Sequence, residues 1–160
     1  MRGRTILAIL VAVTLARPAT AKVGPASLAE LIAWSDLIVV GHVSEIDERD
    51  SNPFAMVVVE ELWYGTSPSR VRVSLRPTWS CDGSRASLAE RGVYFLGREN
   101  DGQWHISHSG HGRMPIVNKS VAVSQLVRLP GETGVRPASR DVPIRDLEHM
   151  IRSTLKKVTR

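Results

Sequence analysis

The chain has only one cysteine, Cys81, among its 160 residues. An internal disulfide therefore cannot form within one chain, which excludes a disulfide-stapled extracellular module. A protein of this size without disulfides depends on its hydrophobic core for stability. The lone cysteine is either buried as a small apolar side chain, joined to another chain, or functional.

Common sequence signatures of catalysis are also missing. The chain has no G-x-S-x-G nucleophile elbow, no phosphate-cradling glycine loop and no H-E-x-x-H. Glu60 and Glu61 are adjacent in a predicted strand, so they point to opposite faces and do not form an acid–base pair. We therefore expect a non-enzymatic protein without a cofactor.

No apolar run is long enough to span a bilayer, but the N-terminus resembles a signal peptide. Arg2 and Arg4 precede an apolar stretch from Ile6 to Leu15, and Ala19-Thr-Ala21 has the form of a cleavage site. We predict a signal peptide over residues 1–21, cleaved after Ala21. The mature protein would then be secreted or periplasmic, with no integral membrane anchor.

The charge excess is small once this segment is removed. The formal net charge is +5, and three of the arginines lie in the predicted signal peptide, which leaves 18 basic and 16 acidic residues. Such a balance does not indicate nucleic-acid binding. The partner expected for an exported chain of this kind is an envelope or extracellular protein.

Valine-rich segments dominate the part of the chain that follows the predicted signal peptide. The runs Asp36–Ile46 and Phe54–Glu60 predict two long antiparallel strands, the first apolar on both faces. Gly41 predicts a bend or bulge. Further strands are predicted over 71–76, 92–97 and 103–107, followed by extended pieces over 114–117 and 121–129. Pro115 places the first of these pieces at a sheet edge.

Helices are predicted at both ends of this β region. Ser27-Leu-Ala-Glu30 has the capping-box form and predicts a short helix, and Ser87-Leu-Ala-Glu90 predicts a second capped turn. Asp141 as a cap and Pro143 in the first turn predict a C-terminal helix with an apolar stripe.

We predict a mainly β protein: an OB-like barrel of five or six strands over 22–130, with a short N-terminal helix. A loop and an amphipathic helix over 131–160 are expected to pack on the barrel.

The candidate site combines histidines with the single thiol. His105, His108 and His111 are spaced three apart, and Cys81 and Asp82 lie elsewhere in the chain. Imidazole and thiolate bind zinc or copper, and Cys81 with a histidine base would make a nucleophilic pair. Strand geometry places residues three apart on opposite faces, so surface or turn histidines are the competing interpretation. The identity of any metal is open.

An aromatic stretch gives a different hypothesis, in which function depends on docking to a partner. Leu62, Trp63 and Tyr64 follow one another after the second predicted strand. If they are exposed, Trp63 would anchor the contact.

Several segments together resemble a known class of protein. These segments are Ala33–Val43, Glu61–Gly65, Arg91–Leu96 and Gly112–Ile116. They resemble exported bacterial proteins of unassigned function whose domain is similar to the OB fold of tissue inhibitors of metalloproteinases. The likeness covers residues 27–117 and implies an OB-like barrel. It does not extend to the inhibitory chemistry, which needs an N-terminal cysteine, whereas the predicted mature chain begins at Lys22.

Overall fold

The structure is a computed structural model and describes residues 23–49, 51–76, 85–99, 102–134 and 138–158. Two helices lie within these ranges, α1 (Leu28–Ala33) and α2 (Ile144–Val158). The strands of the same ranges are β1 (Ala26–Ser27), β2 (Leu37–Asp47), β3 (Phe54–Tyr64), β4 (Arg70–Ser74), β5 (Arg91–Arg98), β6 (Trp104–Ile106), β7 (Arg113–Val117), β8 (Ser120–Val123), β9 (Val127–Arg128) and β10 (Arg140–Pro143). Neither helix is long and apolar enough to cross a membrane.

Five of these strands close into a barrel. The order β2-β3-β4-β6-β5 returns to β2, because β5 pairs with both β6 and β2. The β4–β6 contact is parallel, and the other pairings in the ring are antiparallel. The predicted OB-like barrel with a helix on each side of it in sequence is confirmed.

The paired segments 37–41 of β2 and 92–97 of β5 are buried on both of their faces. Leu37 and Val39 of β2 point into the barrel with Tyr94 and Leu96 of β5. The alternate residues of both strands, Ile38, Val40, Val93 and Phe95, pack in a second core outside the barrel. A fully buried aliphatic or aromatic side chain contributes about 1.5–3 kcal/mol. The two strands therefore form a shared wall that stabilises both cores.

The outer core is covered by the rest of the chain. Strand β5 continues the sheet through β7, β8 and β10. Helix α2 contacts β8 and β10, while α1 contacts α2, β1 and β9. Both helices contribute buried residues to the outer core. Leu147 and Ile151 of α2 are fully buried, one helical turn apart. The C-terminal helix therefore lies against the outer face of the barrel wall.

Some local predictions are wrong. The strand that contains Pro115 is not an edge strand, since β7 lies between β5 and β8. Pro115 is tolerated there because β8 pairs only with Ile116 and Val117. Asp141 and Pro143 belong to β10, and α2 begins only at Ile144.

Candidate functional site

The predicted histidines lie on and after β6, in a turn that is tied to β5. Ser107 N donates to Phe95 O at 2.9 Å, and Phe95 N donates to Gly112 O at 2.9 Å. Between these anchors the backbone of His108 (φ 54°) and Ser109 (φ 51°) is left-handed. A non-glycine residue in this region costs on the order of 1–3 kcal/mol. The bonds at both ends of the turn hold the backbone in this conformation.

The turn is also joined to the end of α1. Ser107 Oγ donates to the Trp34 carbonyl at 3.2 Å, and Ser107 Oγ lies 3.1 Å from Ser35 Oγ. The Trp34 and His108 ring centroids are 5.3 Å apart, and those of His108 and His111 are 5.5 Å apart. His111 Nδ1 lies 2.9 Å from Ser124 Oγ. His108 therefore lies between the Trp34 ring, which is half exposed, and the His111 ring, and it is the His108 ring that contacts Trp34 directly.

Burial lowers the pKa of His108, although the Gly24 backbone and the Glu30 carboxylate oppose this shift. The ring is therefore largely neutral at neutral pH. Its Nε2 atom is buried and has no hydrogen-bond partner among the described residues.

His105 lies apart from this ring stack. Its ring packs over Gly97, where an added Cβ would lie 3.0 Å from His105 Cε1. Its Nδ1 is 3.9 Å from Glu99 Oε1, too far for a hydrogen bond. Across the described ranges, no three His, Cys, Asp or Glu side chains are placed to hold a metal ion. Cys81 and Asp82 lie outside the described residues, so their place relative to the histidines stays a prediction.

Trp63 is a core residue in this structure. Its side chain is only 5% exposed, and it packs in the outer core. The indole Nε1 donates to Glu61 Oε2 at 3.2 Å. Its neighbours Leu62 and Tyr64 are exposed, so a partner that docks on this stretch would meet those two side chains first.

A separate cleft opens where β4 and β6 meet, which we call the seam cleft. The β4–β6 ladder consists of one residue pair in the described chain, Val73 with Trp104. The cleft has a volume of about 270 Å³, and its described walls come from Asn52, from β3 and β4, from residues 102–103 and from β6. Its main side chains are Asn52, Phe54, Arg72, Ser74, Gln103 and Trp104.

Both aromatic rings of the seam cleft have an arginine stacked on them. Arg72 Cζ lies 4.0 Å from the centroid of the Phe54 ring, and Arg98 Cζ lies 4.4 Å from that of Trp104. Such cation–π contacts restrict both side chains. A guanidinium that stacks flat keeps its N–H groups in its own plane for hydrogen bonding. The cleft is thus lined by ordered flat surfaces together with amide and hydroxyl groups.

Charged side chains on the outer faces of β2, β3 and β5 largely neutralise one another. Glu60 accepts hydrogen bonds from Arg91 Nε at 2.6 Å, and Glu60 Oε1 lies 2.9 Å from His42 Nδ1. Burial raises the pKa of Glu60, but Arg91 and His42 outweigh it, and the pKa is lowered overall. Arg113 pairs with Glu90, which also accepts from the Tyr94 hydroxyl. These pairs tie strands together and leave the seam cleft as the better candidate for ligand binding.

The residues of the seam cleft were not predicted as a site. The alternation over 71–76 predicts that Arg72 and Ser74 face outward. In the antiparallel pairing of β3 with β4, Phe54 lies opposite Ser74. The position of Trp104 depends on a parallel contact between segments about thirty residues apart. No local signal in the sequence indicates that contact.

Comparison with known proteins identifies no family or relative for this chain. No protein-family model matches the chain, and no curated protein matches it.

Proposed function

We propose that the protein is an exported, non-enzymatic binding protein that holds its ligand in the seam cleft. The observation that carries this proposal is the cleft itself, lined by two arginine-stacked rings and by amide and hydroxyl groups. In five-stranded OB barrels, this face and the loops beside it are where ligands bind. The ligand would belong to an envelope or extracellular partner.

The size of the cleft bounds what it accommodates. Pockets for drug-sized ligands span roughly 300–1,000 Å³, and the seam cleft has about 270 Å³. It therefore fits one ring-sized group of a ligand, and the rest of the ligand would extend over the open surface.

The test is an NMR screen of the purified protein against a set of small ring compounds that includes sugars, amino acids and nucleosides. Compounds that bind should shift the amide signals of Ser74 and Gln103. Binding should weaken in Trp104→Leu but not in Trp34→Ala, which removes a more exposed ring outside the cleft. The proposal fails if no compound binds, or if those that bind shift only residues away from the cleft.

A metal-binding or thiol-dependent enzyme that uses Cys81 is the alternative. The observation in its favour is that His105 Nδ1 and His108 Nε2 are both buried without a hydrogen-bond partner among the described residues. Buried polar atoms usually have a partner, and a metal would supply one. Stoichiometric zinc or copper in the purified protein, lost in Cys81→Ala, would support this alternative, and metal-free protein would contradict it.

A further inference from the structure

The described side chains around the seam cleft belong to four chemical classes: aromatic rings, amides, a hydroxyl and a guanidinium. Phe54 and Trp104 give flat apolar surfaces, Asn52 and Gln103 give amides, and Ser74 gives a hydroxyl. Arg72 is the one charged side chain among the described lining residues. Aliphatic side chains do not occur among the same lining residues, so the cleft provides no deep apolar hole for a leucine-like anchor.

The arginine stacking narrows the choice of ligand further. One face of Phe54 is covered by Arg72, and one face of Trp104 by Arg98. Binding of successive nucleic-acid bases depends on open aromatic faces and a basic groove. Here each ring keeps only one face for a ligand, and the described lining includes a single cation, Arg72, so the cleft provides neither a run of open faces nor a basic groove. Stacked bases are therefore a poor match to this surface.

A pyranose ring matches all four classes at once. One face of such a ring carries C–H groups that pack on an aromatic surface, and its edge carries hydroxyls that both donate and accept hydrogen bonds. Side-chain amides donate and accept in the same way, hydroxyl groups do so as well, and a guanidinium donates from its edge. Trp104 or Phe54 would contact the C–H face, while Ser74, Gln103 and Arg72 would contact the hydroxyls.

We propose that the seam cleft binds one unit of an extended oligosaccharide. This proposal rests on the binding function proposed above. The volume of about 270 Å³ suits one ring-sized unit, and the rest of the oligosaccharide would extend over the surface beside the cleft. The contacts named above require hydroxyl groups and not a negative charge on the ligand. A neutral glycan is therefore the expected class.

The experiment is an NMR titration of the purified protein with defined ligands. The saccharides are β-1,4-linked tetramers of glucose and of N-acetylglucosamine, with a galacturonate tetramer as the acidic counterpart. An oligothymidylate and a proline-rich peptide represent the competing macromolecules. We expect at least one neutral tetramer to shift the amide signals of Ser74, Gly102 and Gln103.

Two variants and one matched control separate cleft binding from misfolding. Trp104→Leu should raise the Kd for the neutral tetramer at least about tenfold, equivalent to about 1.4 kcal/mol. Gln103→Ala changes an exposed side chain and should raise the Kd in the same direction while the thermal unfolding midpoint is unchanged. Trp34→Ala, an aromatic deletion outside the cleft, should leave the Kd unchanged.

Each remaining outcome overturns the saccharide assignment in a distinguishable way. If only the oligothymidylate or the peptide shifts the cleft signals, the binding function stands and the ligand class is wrong. If only the galacturonate tetramer binds, and Trp104→Leu does not weaken it, the interaction is ionic and the assignment is wrong. If none of the ligands shifts the cleft, the assignment is wrong, and the screen of small ring compounds decides whether the cleft binds anything.

Discussion

Gly41 lies where the backbone of β2 approaches β3 closely. A Cβ added there would be 2.4 Å from Val58 O and 2.8 Å from Val57 Cγ1. The register of β2 against β3 also shifts between Val40 and Gly41. The glycine therefore permits the bend that closes the barrel, as its position in a valine-rich run predicts.

Replacing Gly41 by alanine should destabilise the protein by about 2 kcal/mol or more, since the added methyl meets backbone that has no room to move. Urea denaturation measures the effect. Gly24→Ala is the control, because nothing lies within 4 Å of a Cβ at that position, and its effect should stay within about 0.5 kcal/mol. Equal effects of the two substitutions would contradict the close approach in β2.

His108 is the residue through which a fall in pH should destabilise the folded state. Burial lowers its pKa below the ordinary value of 6.5. The unfolded chain then binds a proton more readily than the folded chain as the pH falls. The stability that His108 contributes is complete above about pH 6.5 and is lost as the pH falls through the folded pKa.

We expect His108→Asn to reduce the loss of thermal stability between neutral pH and pH 5. Asparagine is chosen because it tolerates the left-handed backbone at this position. Thermal melts at a series of pH values measure the difference. His149→Asn, at an exposed position of α2, should leave the pH dependence unchanged. An identical pH profile for His108→Asn and the parent would contradict the assignment.

The tetrapeptide Ser-Leu-Ala-Glu occurs twice and forms two different structures. Ser27 Oγ accepts from Glu30 N at 3.2 Å, and Glu30 Oε2 accepts from Ser27 N at 2.7 Å, which is the predicted capping box. After Ser87 the chain makes a turn with Ala89 at φ 63°. There Glu90 Oε2 accepts from Ser87 N at 3.4 Å and also pairs with Arg113, but Glu90 N donates to Ser87 O and not to the serine hydroxyl, so no helix follows. Local sequence predicts the first structure, but distant contacts decide the second.

Ser27→Ala should therefore destabilise the protein by about 1 kcal/mol, while Ser87→Ala should have almost no effect. The Ser87 side chain is exposed, and its hydroxyl makes no hydrogen bond among the described residues. Chemical denaturation of the two variants compares them directly. A loss of similar size at both positions would show that the second tetrapeptide is also a capped helix start.

The strands and the closed barrel could be predicted from the sequence because segments rich in β-branched residues are separated by segments rich in turn residues. Pairing partners were harder to predict. The position of β7 between β5 and β8, and the contact of Val73 with Trp104, depend on the packing of segments far apart in sequence. The seam cleft is built on that second contact, so the residues around it could not be found from sequence patterns.

At the scale of the whole molecule, the two cores share the wall formed by β2 and β5. Ile38 and Val40 pack against the helices, while Leu37 and Val39 pack inside the barrel. Damage to either core therefore disturbs strands that the other core requires. We expect the barrel and its helical cover to unfold together as one cooperative unit.

Ile151→Ala tests this, because Ile151 is fully buried in the outer core. The substitution should lower the free energy of unfolding by about 2–5 kcal/mol. The NMR signals of Val73 in the barrel and Leu147 in α2 should disappear at the same urea concentration. Arg152→Ala, which removes an exposed ion pair with Glu148, should change stability by less than about 1 kcal/mol. Separate midpoints for the two signals would contradict a single unit.

The two-sided burial of β2 and β5 also affects how such a protein can change over evolutionary time. Within the buried segments 37–41 and 92–97, neither face tolerates a polar replacement, so sequence drift is expected to concentrate elsewhere. The outward side chains of β3 and β4, such as Phe54, Arg72 and Ser74, face solvent in part, and they are also the side chains that frame the seam cleft. New specificities can therefore arise on this side of the barrel while the shared wall stays intact.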